Sequence, residues 1–152
     1  MAADRTTNGE GSCVFCSIVS GEVAADEVYR DDSVVAFLDH SPLFVGHTLV
    51  VPHDHHVTLA DLPSSELTHF FEVVQALSGV MPVALGSQGT FVAMNNIVSQ
   101  SVPHLHAHVV PRSRRDGLKG FFWPRTKYGS TEEAAEVSAK IGTELMAVLD
   151  GS

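Results

Sequence analysis

The stretch Pro103-His104-Leu105-His106-Ala107-His108-Val109-Val110-Pro111-Arg112 concentrates the residues of this chain that could do chemistry. Its histidines stand at i, i+2 and i+4, separated by Leu105 and Ala107 and followed by Val109 and Val110. Strict alternation is the period of a β-strand, whose successive side chains point to opposite faces. A helix would scatter the rings, whereas a strand sets them in one row about 13 Å long, at roughly 3.3 Å per residue. The opposite face is apolar and belongs in a core. Pro111, which lacks an N–H, is expected to end the strand or to mark an edge. Imidazoles in a row suit a metal site, a nucleophile with acid–base helpers, or a pH switch. The plain alternative is a wet strand face, and the apolar residue at every intervening position argues against it.

A second group with chemical potential is Cys13-Val14-Phe15-Cys16, which holds the only two cysteines. This spacing reads as a metal half-site or a redox pair in a reducing compartment. No βαβ pattern follows, as a thioredoxin-like use would require. Two more ligands would complete a tetrahedral zinc site, and His53-Asp54-His55-His56 and His104 can supply them. Two free buried thiols are the alternative.

Elements able to position these groups are legible from pattern. Glu27–Arg30, Val34–Asp39, Thr48–Val51 and Thr90–Met94 read as strands. Leu59 to about Gly86 reads as helix, with Leu67, Phe70, Phe71, Val74, Leu77 and Met81 at helical spacing. Pro82 and Gly79 are expected to kink or end it, and His69 is expected to be exposed. Ser130-x-x-Glu133 is a capping box that opens a final helix to about Leu149. Strands, helix, strands and helix in that order indicate an α+β fold with an antiparallel sheet.

The chain has 152 residues, 44% of them hydrophobic, consistent with a single domain and a real core. Met1–Ser12 is polar, without the apolar run of a secretory signal, and reads as a disordered tail. No uninterrupted apolar run has membrane-spanning length, so no membrane partner is expected and the cytoplasm is the default. A net charge of −9 argues against general nucleic-acid binding. Six of nine basic residues (Arg112, Arg114, Arg115, Lys119, Arg125 and Lys127) follow the histidine row, which suggests an anion handled nearby. Solvated loop charge is the alternative. Phe121-Phe122-Trp123 within this stretch could stack on a base or simply anchor a loop.

The histidine row, together with Phe37-Leu38-Asp39, Pro42, Gly46-His47-Thr48-Leu49-Val50-Val51-Pro52 and Gln100-Ser101-Val102, resembles the histidine triad (HIT) superfamily of nucleotide hydrolases and transferases. The resemblance runs from about Cys13 to Arg112. It implies a HIT-like core over 13–112, with an antiparallel five-stranded sheet and two main helices. Residues 113–152 then form the aromatic and basic loop and the C-terminal helix of the same domain. It further implies a homodimer sharing a continuous sheet, and a purine nucleotide or nucleotide conjugate as ligand.

By the same resemblance the activity is hydrolysis at the α-phosphate of a nucleoside phosphoramidate or dinucleoside polyphosphate, through a covalent nucleotidyl-histidine intermediate. His106 is the nucleophile, oriented by the main-chain carbonyl of His104. His108 and Ser101 assist at the phosphate. Asp39 is the ribose ligand, and Asn95, Gln100, Ser101 and His108 lie among the nucleotide contacts. Zinc-bearing relatives imply Cys13, Cys16, His55 and His104 as structural zinc ligands, with His53 or His56 as competitors and no catalytic metal. His47 reads as structural or supporting. The family's glycines are missing from the loop before the row, where Asn95 or Asn96 is expected to take the left-handed conformation. The alternatives are a nucleotidyl transferase or phosphorylase, and a non-catalytic zinc-stabilised nucleotide sensor.

Overall fold

The helix α1 (Val14–Val19) is the first element of the computed structural model, which describes residues 13–118 and 126–151. Strands β1 (Glu27–Arg30), β2 (Val34–Leu38) and β3 (Thr48–Pro52) follow, then a 3-10 turn at Leu59–Asp61 and the helix α2 (Ser64–Leu85). Strands β4 (Gly89–Ala93) and β5 (Ala107–Arg112) complete the sheet, and α3 (Thr131–Asp150) comes last. The chain divides into two compact units, Met1–Asp116 and Gly117–Ser152. The first holds an antiparallel five-stranded sheet in the order β1-β2-β3-β5-β4. The second holds α3, which the Ser130 hydroxyl caps by accepting from Glu133 N–H at 3.0 Å. The expected Phe121-Phe122-Trp123 cluster and the cations Lys119 and Arg125 lie outside the described residues.

Both faces of the sheet are covered where β2 and β3 run, so these strands read as near-continuous apolar runs. On one face Val34, Ala36, Val50, Leu105, Ala107 and Val109 pack against Phe70, Val73, Val74, Leu77 and Met81 of α2. On the other, Val35, Phe37, Leu49 and Val51 pack against Cys13, Phe15 and Ile18 of the α1 region. Fully burying side chains of this size contributes roughly 1.5–3 kcal/mol each. By length and composition α2 could cross a bilayer, but its stripe from Phe70 to Met81 is buried on this sheet.

At two prolines the structure narrows the expected alternatives. Pro82 does not end α2; the helix continues to Leu85 and stops at Gly86 in the left-handed region, φ 69°. The lost N–H falls one turn before the C-terminus, where little of the ladder remains to be broken. Pro111 does not end β5 either. It pairs with Thr90 of β4, and the ladder to β3 begins only at Val109, so its missing N–H is needed by neither neighbour.

His69 of α2 is partly exposed, as expected, yet it is bonded. Its Nε2 donates to Asp31 Oδ2 at 2.5 Å, and Asp31 also accepts from Tyr29 Oη, Ser33 N and Val34 N. Glu72 Oε2 lies 3.7 Å from the other ring nitrogen. The Asp31 hydrogen bond, followed by nearby negative charge, raises the His69 pKa above its ordinary value. Hydrogen bonds from Tyr29, Ser33, His69 and Val34 outweigh partial burial and lower that of Asp31. The His69 contribution is present below about pH 6.5 and is lost as pH rises through its raised folded-state pKa; the Asp31 contribution is present above about pH 4 and is lost on further acidification. The Tm difference between wild type and His69→Gln is therefore expected to be largest between about pH 4 and 6.5 and to shrink towards pH 9. Thermal melts across pH read it directly, and a pH-independent difference contradicts the ion pair.

Candidate active site and an adjoining Cys2His2 cluster

The histidine row leaves the ladder at its N-terminal end. Pairing with β3 stops at Val50↔Ala107 and pairing with β4 at Ala93↔His108. Only His108 is therefore within a strand, and His104 and His106 precede β5, contrary to the expected continuous strand. The backbone is held there by other partners: Leu105 N–H donates to His56 O at 2.6 Å and His104 N–H to Val102 O at 2.8 Å. Alternation nonetheless survives. Leu105, Ala107 and Val109 are fully buried towards α2, while the Phe15 ring meets His106 edge-on at 5.1 Å and His104 at 6.0 Å. The face that carries the row is thus closed by α1, against the wet-face alternative, and His104 and His106 are 0% and 3% exposed.

Each ring has a tautomer set by its hydrogen bonds. His106 Nδ1–H donates to the His104 carbonyl at 2.8 Å, leaving its Nε2 lone pair free. His104 Nε2–H donates to Pro52 O at 2.9 Å, leaving Nδ1 as its lone-pair atom. Leu43 N–H donates to His47 Nδ1 at 3.1 Å, so neutral His47 carries its proton on Nε2 and gives it to His108 Nδ1 at 2.9 Å. His108 in turn carries its own proton on Nε2. Burial, then neighbouring imidazoles, pulls the His108 pKa down to about 4, and burial lowers that of His47. Both rings are accordingly neutral at physiological pH, as this donor chain requires. The 106 and 108 rings stack edge-on, 4.9 Å between centroids. The site thus holds a lone pair on one ring and an N–H on its neighbour.

His47 was read from sequence as supporting, and its donation to His108 makes it part of the site. Its signal was the Gly46-His47-Thr48 block, where Gly46 at φ 101° turns the chain into β3. The expected ribose ligand Asp39 ends the preceding strand, with Oδ2 3.7 Å from His47 Nε2 and Oδ1 accepting from Ser41 N–H. It therefore stands at the same end of the sheet as His108.

The loop 95–101 departs from expectation. The left-handed residues are Ile97 (φ 70°) and Ser99 (φ 60°), rather than Asn95 or Asn96. Asn96 instead braces the loop, accepting from Leu59 N–H at 2.8 Å. Gln100 also braces it, donating to Val57 O at 2.6 Å and accepting from Ile97 N–H at 3.0 Å. Asn95 and Ser101 are exposed at the loop surface. A β-branched residue in the left-handed region costs roughly 1–2 kcal/mol. Ile97 is 67% exposed, so little burial offsets that cost. Ile97→Gly is expected to stabilise the fold by about 1 kcal/mol in chemical denaturation, and a destabilised variant contradicts the strain.

Of the six cations, Arg112, Arg114 and Arg115 are described in the unit that holds the histidines, and they do not gather at them. Arg112 ends β5 on the side remote from His108, and it is paired through two hydrogen bonds to Asp116. Arg114 and Arg115 follow beyond it, both exposed. Within β5, Val109, Val110 and Pro111 lead the chain away from His108 before it reaches Arg112.

The cysteines converge with two histidines. Cys13 caps α1, so its sulfur and that of Cys16 share one face of the first turn. Cys16 Sγ is 3.2 Å from His55 Nδ1 and 3.5 Å from His104 Nδ1, and Cys13 Sγ is 3.5 Å from His104 Nδ1. All four ligand atoms lie within 4.8 Å of one another. Tetrahedral zinc with Zn–S near 2.3 Å and Zn–N near 2.05 Å places S and N about 3.6 Å apart. The donor set and spacing fit that ion. Of the three histidines following Pro52, the structure selects His55, while the buried His53 Nε2 and His56 Nε2 have no hydrogen-bond partner among the described residues.

Similarity to known proteins matches this geometry. The HIT domain model matches residues 20–115, more than half of the chain. An uncharacterised HIT-like protein of Methanocaldococcus jannaschii is 41% identical over 107 residues, 69% of this chain and 82% of that one. The adenosine 5'-monophosphoramidase HNT1 of Saccharomyces cerevisiae is 30% identical over 154 residues, covering 100% of this chain and 90% of that protein. The crystal structure of a Zn-bound histidine triad family protein from Mycobacterium smegmatis superposes with a TM-score of 0.66 at 35% identity, covering 91% of this chain and 99% of that one. A five-stranded antiparallel sheet, a histidine row at the end of its fourth strand in spatial order and a family match across both place the chain in one group: it belongs to the HIT domain family, whose named relatives include nucleotide hydrolases.

Proposed function

We propose that this protein hydrolyses nucleoside phosphoramidates, with His106 Nε2 as nucleophile. The observation that carries the proposal is the hydrogen bond from His106 Nδ1–H to the His104 carbonyl, which directs the ring's lone pair outward on Nε2. Attack at the α-phosphorus of a substrate protonated on its bridging nitrogen forms a P–Nε2 bond while the P–N bond breaks, its electron pair leaving with the amine, which departs neutral. The positive charge on the His106 ring is then stabilised by the same carbonyl. His108 Nε2–H donates to a phosphoryl oxygen, where negative charge concentrates. Water attacks phosphorus in a second displacement, releasing the nucleoside monophosphate and neutral His106. Asp39 is assigned to the ribose hydroxyls, Ser101 and Asn95 to contacts from the loop, and Gln100 to holding that loop. The similarity to an adenosine 5'-monophosphoramidase supports an adenosine conjugate as substrate. A panel of adenosine phosphoramidates, dinucleoside polyphosphates and nucleotide sugars, assayed with and without inorganic phosphate, tests the assignment. Nucleoside monophosphate from the phosphoramidates is the expected product; nucleoside diphosphate formed only with phosphate identifies a phosphorylase instead.

Zinc in the Cys13, Cys16, His55 and His104 cluster is proposed as structural. It would tie α1 and the turn after β3 to His104, whose carbonyl orients the nucleophile. A homodimer is proposed through the edge strand β4, continuing the sheet, and the exposed α2 side chains Phe71, Val80 and Val83, which are 40%, 51% and 89% exposed. Light scattering is expected to give twice the chain mass for wild type and the single chain mass for Val83→Lys.

A further inference from the structure

Asp54, His56 and Glu66 offer three ligand atoms that lie within 4.8 Å of one another, and none of these residues belongs to the Cys2His2 cluster. They come from two elements: the turn after β3 and the first turn of α2. His56 Nε2 is buried yet has no hydrogen-bond partner among the described residues, and it lies 3.6 Å from Glu66 Oε1. A buried ring nitrogen without a partner costs on the order of 1–3 kcal/mol. At 3.6 Å the Glu66 carboxylate is too far to relieve that cost as a hydrogen bond, but a cation between the two would satisfy both. The set is one imidazole and two carboxylates, which suits a borderline divalent cation such as Zn2+ or Mn2+ rather than a soft one. Its formal charge of −2 matches the ion, and three protein ligands leave positions for water.

We infer that Asp54, His56 and Glu66 form a second divalent-cation site, built from nitrogen and oxygen ligands and separate from the thiolate cluster. Occupancy staples the N-terminus of α2 to the turn that carries His55. The His56 carbonyl in that turn accepts from Leu105 N–H at 2.6 Å, so the second site braces the segment between His104 and His106 from outside.

Cobalt(II) titration of the full chain tests this, because the two sites differ in colour. The first equivalent is expected to develop the intense thiolate-to-cobalt charge-transfer band of the cysteine cluster. A second equivalent, bound at sub-millimolar free metal, is expected to add only weak visible bands and to raise metal content to two per chain. Asp54→Asn and Glu66→Gln, both at positions open enough to tolerate the change, are each expected to lose the second equivalent and keep the thiolate band. Circular dichroism melts establish that the variants fold. A wild type that takes up only one equivalent, a second equivalent that survives both variants, or variants that lose the thiolate band along with it each overturn the inference.

Discussion

Alanine in place of His106 is expected to lower turnover of an adenosine phosphoramidate by about 10^4- to 10^6-fold, the range seen when a covalent nucleophile is removed. The size follows from the geometry. His106 alone in the row has its Nδ1 proton committed to a backbone carbonyl and its other nitrogen free. His104 turns its lone pair to sulfur, and His108 turns its own to His47. Neither can substitute as nucleophile without breaking a hydrogen bond that sets the neighbouring ring. Nucleotide affinity is expected to change by less than about tenfold, because Asp39 and the loop 95–101 are untouched. Since the ring is buried against Phe15, His106→Asn provides a smaller-cavity control. It too is expected to be inactive, and steady-state kinetics with a binding titration separates kcat from Kd. Turnover within tenfold of wild type in both variants contradicts the assignment.

Removal of zinc is the second large effect. Chelation, or Cys13→Ser, is expected to lower the thermal midpoint by roughly 8–16 °C. That corresponds to about 4 kcal/mol for a ligand held at a thousand times its dissociation constant, in a chain of this length. The fold has its own core on both sheet faces, so it is expected to persist rather than unfold outright. Activity is expected to fall by about 10- to 100-fold, because His104 would lose its anchor and its carbonyl would no longer hold the nucleophile's tautomer. Cys13 is itself buried, so Cys13→Ser alone confounds metal loss with an orphaned hydroxyl. Chelation of wild type followed by zinc addition separates them: stability and activity are expected to return together. Metal-free wild type with unchanged midpoint and rate contradicts the structural role.

The sequence was most legible where pattern and packing agree. The bounds of β1, β2, β3 and α3 follow from runs of β-forming residues, turn residues and the Ser130 cap. The Cys2His2 cluster was legible because ligand type restricts the choices and the resemblance to zinc-bearing relatives points to His55, which the fold sets 3.2 Å from Cys16 Sγ. What failed depended on long-range partners. The ladder stops before His106, where Leu105 finds its acceptor in His56, far away in sequence. Pro82 forfeits only one helical bond, to Ser78 O near the end of α2, and Pro111 sits where the ladder to β3 has not begun, which local propensity cannot reveal. Basic residues adjacent in sequence to the row are carried away by the strand that separates them from it. The contribution of His47 depends on the register Leu49↔His108, which is a property of the sheet.

The stereochemical course at phosphorus tests the central claim most directly. Hydrolysis of a P-chiral nucleoside phosphorothioamidate in oxygen-18 water reports whether one displacement or two take place. Attack by His106 Nε2 followed by water predicts overall retention of configuration; inversion, the mark of a single direct attack by water, would contradict the covalent account.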